Sequence, residues 1–257
     1  MPFLTAVRFL TVMPVGKRYP SGRELARSQG LFPLVGLLLG LVLASVDAGL
    51  SLIWPEALAS AFLIAFLLVL TGAMHMEGFL DTCDGLLGGH NREQRLQIMR
   101  DRHVGAFAVA GGISLILLKW GALISLPQPA RFPVLALFPA LSRWSIALVL
   151  RVFPYARDEG LGFAFHRDST WAQTGIAAGI AFTASVVLSG IGGVLLFITV
   201  SLIAWLVGVS MSRLLGGLTG DTYGAVNEIG EVVALATGVA LAPLGMIETL
   251  PQLLGAL

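Results

Sequence analysis

The fold class this sequence predicts is all-α, a polytopic integral membrane helical bundle of about seven transmembrane helices, and three observations predict it. Of 257 residues 56% are hydrophobic and only 12% are charged, with a mean hydropathy of +0.86, far more apolar than a solvated surface allows. Apolar runs recur that are long enough to cross about 30 Å of hydrocarbon, which takes about 20 helical residues. The polar residues left over gather in three stretches, 77–104, 154–172 and 212–230.

The chain opens on an apolar run from Phe3 to Met13. It is short, contains Arg8 and reaches Pro14 without a small-residue cleavage site, so no cleavable signal is expected. Thr5, Arg8 and Thr11 recur at every third residue. Such a narrow polar stripe suits an N-terminal helix lying in the membrane interface, and an ordinary buried helix fits it equally. Spans are then expected at about 31–54, 56–76, 105–126, 131–153, 173–190, 192–211 and 231–250, the fifth and sixth divided only by Ser189-Gly190. The pairs Gly36/Gly40 and Gly175/Gly179 are read as points of close helix approach. With neither an internal repeat nor a low-complexity linker, 1–257 is expected to form one domain.

Alternation of these spans tests the positive-inside rule. With the N-terminus inside, all three polar stretches fall inside too, and that side collects Arg8, Lys17, Arg18, Arg23, Arg27, Arg92, Arg95, Arg100, Arg102, Arg157, Arg167 and Arg213. Little beyond Arg131 is left opposite. The expectation is a multi-pass protein of the cytoplasmic (inner) membrane with its polar loops in the cytosol. A net charge of +1 without a long basic run or an aromatic-basic stripe speaks against nucleic acid. The single cysteine, Cys83, excludes an intrachain disulfide and a thiolate cage, and is read as a small apolar filler.

Chemistry concentrates after the second span. In His75-Met76-Glu77-Gly78-Phe79-Leu80-Asp81-Thr82-Cys83-Asp84-Gly85 the three acids stand at i, i+4 and i+7, on one face of a helix. Like charges so arranged repel unless neutralised. A hard divalent cation, Mg²⁺ or Mn²⁺, matches oxygen ligands and clamps phosphate oxygens; a solvated acidic loop paired with Arg92 and Arg95 is the bland alternative. Asp101 either completes that site from the next helix or pairs with a neighbouring arginine. Asp221 reads as a helix cap, and Glu228 and Glu231 as acids favouring a helix N-terminus. Arg143 lies too centrally in a span to snorkel, which calls for an anion or a buried partner; Lys119 and Asp47 are lesser cases. His75 and His166 are candidate phosphate or base contacts, or structural histidines. A phosphate-binding Gly-x-x-x-x-Gly-Lys-Ser/Thr loop, a dinucleotide fingerprint and a nucleophile elbow are all missing.

Blocks running nearly end to end carry a resemblance. They are Phe9-Leu10-Thr11 to Pro14, Phe32-Pro33-Leu34-Val35-Gly36, the Glu77–Gly85 segment, Ile98-Met99-Arg100-Asp101, Ser142-Arg143, Tyr155-Ala156-Arg157 with Gly160-Leu161-Gly162, and Gly216 through Glu231. In these the chain resembles the cobalamin synthase family, the adenosylcobinamide-GDP ribazoletransferases. The resemblance implies a Mg²⁺-dependent membrane transferase in nucleotide loop assembly, the last steps of cobalamin biosynthesis. Such an enzyme joins adenosylcobinamide-GDP to α-ribazole or α-ribazole 5′-phosphate and releases GMP. It further implies Glu77, Asp81 and Asp84 as metal ligands, Asp101 or Asp221 as a ligand or the catalytic base, and Arg143 and Arg157 as phosphate contacts. His75, His166 and Glu228 are further candidate substrate contacts. Two positions depart from the family pattern. Glu77 stands where aspartate is commoner, and Arg102-His103 replaces serine-arginine, leaving Arg102 or His103 as the anion contact there.

A CDP-alcohol phosphotransferase is the nearest rival enzyme, but Gly88-Gly89 stand where Ala-Arg should follow and Gly105 where a further aspartate should. A cation transporter would hold its acids mid-span. Most acids here are expected in loops.

Overall fold

The structure is a computed structural model that describes residues 1–16, 20–157 and 160–247. Lys17, Arg18, Asp158, Glu159 and the end of the expected last span lie outside the described residues. The helices are α1 (Pro2–Leu10), α2 (Gly22–Ser28), α3 (Phe32–Leu50), α4 (Glu56–Thr71), α5 (Met74–Gly88), α6 (Arg92–Ile98), α7 (Ala106–Ser125), α8 (Gln128–Val152), α9 (Leu161–Asp168), α10 (Trp171–Leu215) and α11 (Gly220–Leu241). The fold is an all-α membrane bundle. Five helical runs, Gly22–Leu50, α7, α8, α10 and Gly220–Leu244, are long and apolar enough to cross a membrane, or six if α4 and α5 are joined across their 95° bend.

That count differs from the expected seven at two places. Helix α4 has 16 residues, fewer than the roughly 20 of a full crossing. The expected fifth and sixth spans fall in one helical run, α10, of 45 residues. Yet α10 is not straight. Gly190 leaves helical geometry at φ 54° and ψ −131°, and the rings of Phe182 and Phe197 meet with centroids 5.5 Å apart. In a straight helix those residues would be about 22 Å apart. The chain therefore doubles back at Gly190, and Gly193 packs onto the Ser185 carbonyl too closely for any Cβ.

Helix α8 is the central element, buried along nearly its whole length. Gly36 and Gly40 of α3 press against the backbone of Pro139 and Ala136, which leaves no room for a side chain and explains the close approach of α3 to α8. The second expected packing pair is different: Gly175 and Gly179 have open space before them. Val69, Ile113, Leu117, Ile176 and Leu202 point outward, exposed, as apolar residues do where lipid replaces water as solvent.

The last span also shifts. It was expected from residue 231, after a polar loop over 212–230, but α11 starts at Gly220, capped by the Thr219 hydroxyl, which accepts from the Thr222 N–H. Glu228 and Glu231 are thus buried in mid-helix and not at its start. Lys119 of α7 makes this possible: its Nζ donates to Glu228 Oε2 and Glu231 Oε2, both at 2.5 Å. Arg143 donates to the other oxygen of Glu231, and Asn227 Nδ2 joins at 3.1 Å. Burying any one of these charges alone costs several kcal/mol, so the four hold one another in place. Arg131, at the other end of α8 from Arg151, makes a two-pronged contact with Asp47 at 2.7 and 2.8 Å and reaches Glu56 at 2.8 Å, tying the start of α8 to the α3–α4 corner.

Candidate active site

The acidic segment is turned aside by its own backbone. Gly72 (φ 61°) and Ala73 (φ 54°) are both left-handed, and Ala73 is the one non-glycine residue with positive φ among the described residues. Such a conformation costs of the order of 1–3 kcal/mol and persists where surrounding structure enforces it. Here it aims α5, which carries Glu77, Asp81 and Asp84, away from the line of α4.

Helix α5 then crosses α11 glycine to glycine. A Cβ on Gly78 would lie 2.7 Å from the Asp221 carbonyl oxygen, and one on Gly224 2.8 Å from that of His75. The crossing brings Asp221 into the electrostatic neighbourhood of Asp81, together with Glu77 and Asp84; Arg157 is the cation that offsets them. Arg157 reaches its position because two loops pair. The Ala156 N–H donates to the Leu218 carbonyl, and the Leu218 N–H to that of Pro154, each at 2.8 Å. Arg157 Nη2 then donates to Asp221 Oδ2 at 2.9 Å.

The bland reading of the acids needed Arg92 and Arg95 as their partners. Those arginines are engaged elsewhere. Arg92 Nε donates to the Leu215 carbonyl at 2.7 Å and Nη2 to that of Ala156 at 3.2 Å, while Arg95 Nε donates to the Gly89 carbonyl at 3.1 Å. Asp84 has a structural contact of its own. Its two oxygens accept from the backbone N–H groups of Gly105 (2.6 Å) and Ala108 (2.8 Å), so a side chain of α5 caps the N-terminus of α7.

The remaining candidates are scattered around this core. Asp101, Arg102 and His103 form an exposed segment before α7. Hydrogen bonds from the backbone and ring of His103, the ring at 2.7 Å, hold the Asp101 carboxyl below the usual carboxylate range. Arg143 and Glu228 lie inside the bundle in the four-charge cluster. The His166 ring stands 3.0 Å from the Leu150 carbonyl through Nδ1 and stacks near Tyr155. His75 is buried, and neither ring nitrogen has a hydrogen-bond partner among the described residues.

Glu77, Asp81 and Asp221 share a cavity of about 280 Å³, whose other walls include His75, Tyr223, Phe9, Phe32 and Phe165. Carboxylates gathered on the lining of one cavity, with Arg157 as the cation that acts on Asp81 and Asp221, fit a hard divalent cation in kind. No three His, Cys, Asp or Glu side chains among the described residues are already spaced to hold a metal ion. Sequence reasoning gave no role to Phe9, Phe32 and Tyr223, although they stand in the blocks that carry the resemblance, and passed over Phe165, which stands in none of them. The pairing of Lys119 with Glu228 and Glu231 was signalled only by a lone lysine inside an apolar span.

Comparison with known proteins adds one set of findings. The family model described as cobalamin-5-phosphate synthase matches residues 2–239. Over 252 residues the chain is 36% identical to the adenosylcobinamide-GDP ribazoletransferase of Roseiflexus sp. (strain RS-1), covering 96% of this chain and 92% of that one. The protein of the same description from Desulfitobacterium hafniense (strain Y51) is 40% identical over 240 residues, 90% of this chain and 93% of that one. The Escherichia coli O17:K52:H18 (strain UMN026 / ExPEC) protein is 36% identical over 242 residues, 91% and 97% of the two chains. No solved structure matches.

Proposed function

From the premise that this chain belongs to the cobalamin-5-phosphate synthase family, we propose a mechanism in which it acts as an adenosylcobinamide-GDP ribazoletransferase at the membrane. The enzyme transfers the adenosylcobinamide phosphate moiety to α-ribazole or α-ribazole 5′-phosphate, with loss of GMP. A ribose hydroxyl oxygen forms a bond to the cobinamide-side phosphorus as the bond from that phosphorus to the GMP oxygen breaks, in line.

Family membership implies a metal-dependent mechanism. We assign Mg²⁺, with Mn²⁺ as substitute, to Glu77, Asp81 and Asp84; when bound it neutralises charge on the bridging and leaving oxygens. Asp84 keeps lone pairs for this purpose while it fixes α7. Asp221 accepts the proton of the attacking hydroxyl, since its carboxylate shares the cavity with Glu77 and Asp81 and is oriented by the hydrogen bond from Arg157. The other N–H groups of Arg157 serve the pyrophosphate. Asp101 and Arg102 meet the substrate from the exposed segment that precedes α7. His166 stands near the same loop, through Tyr155. Arg143 and Glu228 act on the substrate only through the interior cluster, so they position α11 and do not touch the reacting atoms. Charge placement and orientation supply most of the acceleration.

For the membrane we propose seven crossings: α3, α4, α7, α8, the two halves of α10, and α11, with α1 and α5 at the interface and the site facing the cytosol. Two contacts support this arrangement. The Gly192 N–H, just past the reversal in α10, donates to the Met246 carbonyl beyond α11 at 2.8 Å, and Arg92 joins the far end of α10 to the loop after α8. Residues 1–257 act as one domain.

The observation that carries the reading is the union of Glu77, Asp81 and Asp221 on one cavity, opposed by Arg157. Purified protein with Mg²⁺, adenosylcobinamide-GDP and α-ribazole 5′-phosphate should yield GMP and a corrinoid product in equal amounts. A folded preparation that yields neither would sink the reading.

A further inference from the structure

The carboxylates account for one part of the lining of the 280 Å³ cavity and leave another wall unexplained. That wall is aromatic. Phe9 of α1, Phe32 of α3 and Phe165 of α9 pack with ring centroids 4.7 to 5.7 Å apart, three rings brought together from distant parts of the chain. His75 and Tyr223 border the same cavity at 4% and 6% exposure. Among the described residues both His75 ring nitrogens and the Tyr223 hydroxyl lack hydrogen-bond partners, although buried polar groups are nearly always satisfied.

We infer that this cavity seats the acceptor nucleoside, with its planar base against Phe9, Phe32 and Phe165 and its ribose toward Asp221. The inference rests on the ribazoletransferase reading. Size argues for it first. At about 280 Å³ the space is at the lower edge of small-molecule sites, which run from roughly 300 to 1,000 Å³, so a base with its sugar fits and a corrin macrocycle does not. Chemistry argues next. Aromatic walls hold the face of any flat ring, while two neighbouring polar side chains suit a base with one or two hydrogen-bonding atoms. Guanine, with N7, O6 and the 2-amino group along its edges, asks for more partners than these walls supply. Geometry completes the argument, because a nucleoside lying between the two walls presents its ribose hydroxyls to the carboxylates.

Binding of α-ribazole and, separately, of GMP to the full-length protein in nanodiscs with Mg²⁺, followed by calorimetry, tests this. Phe165→Ala, which removes a stacking face, and Leu150→Phe, which narrows the cavity, should each weaken α-ribazole about 10- to 100-fold. Tyr223→Phe, isosteric and safe for folding, should weaken it about 5-fold. GMP affinity and the KM for adenosylcobinamide-GDP should hold within about 2-fold in all three. Unchanged α-ribazole affinity throughout, or loss of GMP binding in its place, overturns the inference. Wild-type protein that binds α-ribazole in this variant-sensitive way yet releases no GMP would sink the transfer reading and leave the nucleoside site standing. Normal GMP release by all three variants would do the reverse.

Discussion

Arg157 and Asp221, 64 residues apart in sequence, meet at 2.9 Å because the loops that carry them are stapled through Ala156 and Leu218. If Asp221 takes the proton, Asp221→Asn should lower kcat about 10²- to 10⁴-fold with little change in the KM for either substrate. Arg157→Lys keeps the charge but loses the planar fork, and should raise the KM for adenosylcobinamide-GDP more than it lowers kcat. Steady-state GMP release separates the two. A kcat loss under 10-fold in Asp221→Asn would return the proton to another group.

Asp81 and Asp84 lie on one face of α5 but should fail differently. Asp81→Asn removes a charge from a crowd of like charges and should abolish turnover without loss of thermal stability. Asp84→Ala uncaps α7 and should also cost about 0.5–2 kcal/mol of stability. Thermal unfolding in detergent reads the difference; equal stability in both variants would contradict the capping contact.

Mg²⁺ should raise the unfolding temperature of the wild type, since a ligand that binds only the folded state stabilises it by mass action. Chelation should stop turnover reversibly and leave the helices intact. The same titration on Asp81→Asn should give little or no shift, and a full wild-type shift there would remove Asp81 from the ligand set.

The interior cluster predicts a pattern of non-additivity. Glu231→Gln leaves Lys119 and Arg143 short of one negative charge and should destabilise by about 3–5 kcal/mol. Lys119→Met should do the same from the other side. The double variant Lys119→Met with Glu228→Gln removes one charge of each sign and should cost less than the sum of its parts, as measured by unfolding in detergent.

Membrane arrangement is tested by labelling. In a Cys83→Ser background, single cysteines at Leu52 and Ile191 should react from one side of sealed vesicles and one at Arg102 from the other. Leu52 and Ile191 are well exposed for this purpose. Labelling of Ile191 and Arg102 from the same side would contradict the reversal at Gly190 as a membrane hairpin.

How much of this was readable in the chain depends on how local each signal is. Glu77, Asp81 and Asp84 share a helix, so their spacing alone aligned them. Ser189-Gly190 marked the break in α10 because only glycine takes the conformation found there. Asp221 read from its own residues as a helix cap and joined the acids only through the family resemblance, since its place depends on the contact between Gly78 and Gly224, which no window of sequence contains. Glu228 and Glu231 were assigned to the edge of a loop because hydropathy counts every carboxylate as a cost and cannot see Lys119 on another helix. For the same reason Gly175 and Gly179 looked like Gly36 and Gly40: spacing shows that a close approach is allowed, not that a partner is there.

The four charges of Lys119, Arg143, Glu228 and Glu231 sum to zero, and each carboxylate holds a cation within the bundle. The cluster thus ties α7, α8 and α11 to one another through charge, so that no one of the three helices can slide without stranding a buried ion.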